Sequence, residues 1–172
     1  MDESTLGLLA DGRVLMVIRG SNDLKEHLPG YKWFVISFDG GVTWSRPEPW
    51  RYTDGTLFYS PASCSQLLQH SSGALLWLGN ICKQNSRSNA PRYPLIMGEV
   101  DRESGLLKRD SLSIVDDRGK ADSESLQLSN FSAREDRQTG EVLLHMTRLF
   151  AKAQGDWTAD SWLYRISVIS DQ

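Results

Sequence analysis

The sequence predicts an all-β fold, a β-propeller in which one antiparallel unit of about four strands is repeated about three times. Three observations predict it. The turn signals Asp11-Gly12, Ser72-Gly73 and Thr139-Gly140 recur at intervals of roughly 60 to 70 residues. Each lies between two apolar runs of strand length, the pattern of a β-hairpin. No window shows the 3.6-residue periodicity of a long amphipathic helix.

The elements follow in order. First strands are expected at Ser4 to Leu9, Cys64 to His70 and Leu126 to Arg134, and second strands at Val14 to Ile18, Ala74 to Leu78 and Val142 to Met146. A loop and a third strand come next, at Lys32 to Phe38, Arg92 to Val100 and Trp162 to Ile169. A fourth strand fits Trp50 to Thr53 and Ser111 to Val115, and the third copy stops after its third strand. The approximate blades are residues 1–60, 61–122 and 123–172 of one domain. Three blades fall short of the about four that close a ring, so further blades or self-association are expected to cover the open faces.

Composition narrows the partners. The 172 residues carry a net charge of -3, with 40% hydrophobic and 24% charged residues, which gives no basic bias toward nucleic acid. Apolar runs are too short to span a bilayer as helices, so neither nucleic acid nor membrane is an expected partner. No targeting segment is visible; the compartment stays open, a secreted or periplasmic full-length protein included. The two cysteines, Cys64 and Cys82, are read as small buried thiols, with a cross-strand disulfide as the alternative, and His27, His70 and His145 lack ligand spacing, so no metal and no cofactor are implied.

Between the third and fourth strands of the first copy runs Ser37-Phe38-Asp39-Gly40-Gly41-Val42-Thr43-Trp44. This resembles the Asp box of the sialidase superfamily, with Ser37, Asp39, Gly41, Thr43 and Trp44 at the motif positions. The glycines accept positive φ, and Asp39 and Thr43 can bond turn backbone. Degenerate versions occur at Val100 to Gly105 and at Ser170-Asp171. The resemblance covers what would be the C-terminal half of a six-bladed sialidase-like propeller, and it speaks for fold more than for chemistry.

A second likeness concerns the site. Sialidases order a catalytic Glu, a short strand, a D-G turn, a second strand and a carboxylate-binding Arg, and here Glu3 leads through Asp11-Gly12 to Arg19. Hairpin pairing sets Glu3 and Arg19 at one open end. The same end of the other copies carries Asn80, Arg92, Asn130 and Arg148. The resemblance implies Glu3 as a catalytic carboxylate and Arg19 and Arg92 as clamps on an acidic sugar, with Asn130, Asn80 and Arg148 as further substrate contacts. It departs at the nucleophile: the family uses a Tyr, and Ser125 to Phe131 contains none. The implied activity is that of an exo-acting, sialidase-like glycoside hydrolase with a carbohydrate substrate. Two alternatives stand beside it, a non-catalytic glycan-binding propeller and a protein-interaction propeller. A Glu opposed to an Arg across a hairpin also describes a solvated ion pair worth less than about 1 kcal/mol.

Overall fold

The alternating and continuously apolar runs fold as antiparallel strands. The computed structural model describes residues 3–168, which form eleven strands in three sheets. The first sheet joins β1 (Ser4–Leu8), β2 (Val14–Ile18), β3 (Trp33–Ser37) and β4 (Glu48–Pro49) in that order. The second joins β5 (Gln66–Gln69), β6 (Leu75–Asn80), β7 (Leu95–Val100) and β8 (Ser113–Asp116). The third has three strands, β9 (Ser132–Glu135), β10 (Val142–Thr147) and β11 (Ser161–Ile166). Among the described residues the one helical element is a 3-10 turn at Arg109–Ser111, and no helix is long and apolar enough to cross a membrane.

First strands of successive sheets lie side by side. Thr5 Oγ1 accepts a hydrogen bond from the Leu67 amide at 2.8 Å, and the Gln66 side chain exchanges two bonds with Ala133. Two cores fill the spaces between sheets. Leu15, Val17 and Phe34 of the first sheet meet Leu75 and Trp77 of the second, around Trp50, Tyr52 and Phe58. Leu76, Leu78 and Met97 face the other way, onto Leu128, Val142, Leu144 and Met146. The middle sheet is therefore covered on both faces, and this is why β6 is a continuous apolar run while β1 alternates between exposed and half-buried positions.

A loop of only the two residues Asp11-Gly12 would make a tighter hairpin than the one the structure shows. Leu9 N donates to Arg13 O at 2.9 Å and Gly12 takes φ +87°, a three-residue loop closed by a left-handed glycine. His70, Ala74 and Gly73 repeat it. The extra residue shifts the pairing by one, so Ser4 opposes Ile18 and the Arg19 amide bonds the Glu3 carbonyl.

Several boundaries move. The fourth strand of the first sheet is Glu48–Pro49, not Trp50 to Thr53, because the Trp50 indole is fully buried and donates to Gly105 O at 2.9 Å. The first strand of the third sheet begins at Ser132, because Leu126 and Leu128 turn into the second core. β5 begins at Gln66 rather than Cys64. β7 begins at Leu95, past Pro91 and Pro94, which have no amide to give a ladder. The degenerate box at Ser170-Asp171 and the end of the last expected strand lie outside the described residues.

The Ser37–Trp44 turn is closed by its own side chains. Asp39 Oδ1 accepts from the Thr43 amide and from Ser37 Oγ, both at 2.8 Å, and its Oδ2 accepts from Thr43 Oγ1 at 2.6 Å. The Thr43 hydroxyl, then the Thr43 amide and the Ser37 hydroxyl, hold the Asp39 carboxyl down to a pKa of about 2. Asp101 makes the corresponding bonds to Ser104 in the second sheet's turn.

Candidate functional site

In an antiparallel sheet the start of strand one, the end of strand two and the start of strand three share one edge. This places the residues before β1, β5 and β9, those ending or following β2, β6 and β10, and those before β3 and β7 at a common end. Every expected site residue lies there, but their surroundings differ.

Glu3 and Arg19 form an ion pair, Nη1 to Oε2, at 2.8 Å, with the Glu3 side chain half exposed. The Arg19 Nε is buried and has no partner among the described residues. Arg92 is half-buried: Nη1 donates to Gln127 Oε1 at 3.1 Å and to Ser129 Oγ at 3.4 Å, and Nη2 donates to Ala62 O at 3.0 Å. Burial, then the positive charge of Arg19, pushes its pKa down. Asn130 is exposed in the left-handed region at φ +57°, and its amide donates to Cys64 Sγ at 3.2 Å. Cys64 and Cys82 are free thiols.

Asn80 and Arg148 are turned to other partners. Asn80 is fully buried, and its Nδ2 lies within hydrogen-bond distance of the carbonyls of Arg92, Pro94 and Leu128. Arg148 is paired with Asp116 and Asp122, and the Tyr164 hydroxyl donates to the same Asp116 at 2.5 Å. Burial and that bond push the Tyr164 pKa up to about 12. Asp116 at the end of β8 and Asp122 in the loop after it thus neutralise Arg148 and leave Arg19 and Arg92 as the cations of the site.

Lys32 is the residue that sequence reasoning passed over. It is fully buried, and its Nζ donates to Ser63 O and, at 3.3 Å, to Pro61 O. Burial pushes its pKa down to about 7; Cys64 and Glu3 oppose that fall, while Arg19 and Arg92 add to it. A signal existed: Lys32 has the parity of Phe34, which faces the first core, so strand alternation points it inward. Among the described residues no group of three or more His, Cys, Asp or Glu is placed to hold a metal ion.

No family model and no curated protein matches this chain. Solved structures do. A GH43_12 protein retrieved from a capybara gut metagenome is similar over 96% of this chain and 28% of its own length, with a TM-score of 0.59 and 12% identity. A polysaccharide lyase of family PL25, an ulvan lyase bound to a GlcA(1-4)Rha3S unit, is similar over 94% of this chain and 40% of its own length, with a TM-score of 0.56 and 13% identity. The chain therefore spans less than half of either protein. At these identities the likeness is one of fold: successive antiparallel sheets shared with two carbohydrate-active proteins.

Proposed function

We propose that this chain is the site-bearing portion of a sialidase-like glycoside hydrolase acting on terminal, acidic sugars. In this reading the three sheets are consecutive propeller blades, Ser37 to Trp44 is an Asp box, and further blades or a second copy pack on the face that exposes Leu6 and Leu8. The observation that carries it is the Glu3–Arg19 pair at 2.8 Å, at the same sheet end as the half-buried Arg92. Two planar guanidiniums at one sheet end suit bidentate capture of a carboxylate. Glu3, half in solvent, is free to leave its pair and move a proton at a glycosidic oxygen or activate a nucleophile. The two carbohydrate-active proteins of like fold support a sugar ligand.

A second reading, sugar binding without hydrolysis, is favoured by one observation. Leu126 to Phe131 holds no tyrosine, and Tyr164 is bonded to Asp116 with its proton held more tightly than usual.

Three variants and the parent protein separate the readings. Arg19→Ala weakens binding of N-acetylneuraminate or D-glucuronate by roughly 2 to 4 kcal/mol, the scale of a lost charge-assisted pair, and Arg19→Lys does not restore it. Glu3→Gln keeps affinity and depresses hydrolysis of the matching fluorogenic glycosides. Binding without turnover in the parent protein selects the second reading. Unchanged affinity for Arg19→Ala with a sharp loss of thermal stability refutes both.

A further inference from the structure

Lys32 occupies a position that packing alone does not explain. A lysine of zero exposure forfeits the hydration of its ammonium, and buried lysines normally sit against a carboxylate. Here the Nζ bonds two neutral backbone carbonyls, Pro61 O and Ser63 O, and its third N–H has no protein partner among the described residues. A methionine would fill the same space without the desolvation cost. The carbonyl between those two, Ala62 O, is held by Arg92 Nη2. Three successive carbonyls of one strap are therefore gripped by two cations, one buried and one at the site.

We propose that Lys32 is a positioning residue for the anion held by Arg19 and Arg92, its side-chain nitrogen acting from the carbonyl strap that Arg92 also grips. The inference rests on the acidic-sugar reading above and adds the charge that tunes it.

The charges that act on Lys32 come from the ends of four strands. Arg19 follows β2 and Arg92 precedes β7, and both disfavour its proton; Glu3 precedes β1 and Cys64 precedes β5, and both favour it. Burial and the two arginines hold the Lys32 pKa down to about 7. An anion on Arg19 and Arg92 cancels their repulsion and adds attraction, so the pKa rises in the complex. The sign follows by linkage: the contribution to affinity is complete below the free-state value of about 7 and is lost as pH rises through the bound-state value. Charged Lys32 also keeps its grip on Pro61 and Ser63, which fixes the strap that Arg92 uses.

The test is calorimetric titration of D-glucuronate and of N-acetylneuraminate into the protein between pH 6 and 9, in buffers of different ionisation enthalpy. The expected result is proton uptake near neutrality and an affinity that falls about tenfold across the range, the equivalent of one unit of pKa coupling. Lys32→Met binds more weakly at pH 6 and shows no slope, whereas Cys64→Ser keeps the slope. A slope that survives Lys32→Met, or vanishes in Cys64→Ser, overturns the role of Lys32 and leaves the anion site standing. Should Lys32→Met fail to fold, nitrogen NMR of the lysine side chains in the parent protein decides: the Lys32 titration moves upward on adding glucuronate, and an unmoved titration overturns the proposal. If neither sugar binds at any pH while the protein is folded, the anion-site reading fails and this inference fails with it.

Discussion

Asn80 offers the sharpest test of how the site end is built, because sequence position sets it among the substrate contacts while its side chain is fully buried. Its amide carries two hydrogens, shared among three carbonyls: Arg92 O at 3.1 Å, Pro94 O at 3.0 Å and Leu128 O at 3.0 Å. Those carbonyls belong to the segment entering β7 and to the segment that precedes β9, so one side chain ties the second sheet to the third. Asn80→Ala removes two net hydrogen bonds of about 1 kcal/mol each and strands buried carbonyls at about 1 kcal/mol or more. The expected loss of stability is roughly 2 to 4 kcal/mol. Asn80→Asp keeps the shape and reverses the polarity, setting a carboxylate oxygen against three carbonyl oxygens. It is expected to be worse than alanine at neutral pH and to recover partly in acid, where the carboxyl regains a proton to donate. Urea unfolding followed by tryptophan fluorescence measures both, with sugar affinity determined beside it. A variant that unfolds within about 0.5 kcal/mol of the parent yet loses its ligand would refute the argument and return Asn80 to the binding surface.

Two further outcomes are expected. A Cβ added at Gly79 would lie 2.3 Å from Cζ2 of Trp77, which is wedged between sheets one and two with no exposure, so Gly79→Ala costs about 1 to 3 kcal/mol and alters the near-ultraviolet dichroism of the tryptophans; an unchanged spectrum and melting temperature would contradict it. The depressed carboxyl of Asp39 stabilises its turn fully above the usual value of 3.8, and the contribution is lost as pH falls through about 2. The Thr43 amide resonance should report that titration and Asp39→Asn should abolish it, whereas a midpoint near 3.8 would show the turn bonds to be weak.

Much of the architecture was legible in the residues. Hairpin turns need a left-handed glycine, and Gly12, Gly73 and Gly140 mark all three copies because few other residues tolerate that backbone. The all-β reading came from apolar runs of strand length, and the clustering of Glu3, Arg19 and Arg92 at one end came from antiparallel connectivity alone. Residues just outside regular strands were misread. Trp50 looked like a strand residue because aromatic residues favour strands; its indole is instead spent in the core, next to Trp77 with ring centroids 5.3 Å apart.

What sequence determined, then, was everything local: turn positions, strand parity, and which polar residues share an edge. Tertiary structure alone decided what each of those polar residues does. Asn80 ends one second strand and Arg19 follows another, yet neighbouring segments bury the first and a half-exposed carboxylate pairs the second. Arg148 is neutralised by Asp116 of β8 and Asp122 of the following loop, 32 and 26 residues earlier in the chain. Lys32 is inward by parity, but its lack of a carboxylate partner depends on the strap at Pro61 to Ser63. The physical reason is range: backbone preference and side-chain alternation act over a few residues, whereas desolvation and charge pairing are set by whichever segments the fold brings within a few ångströms.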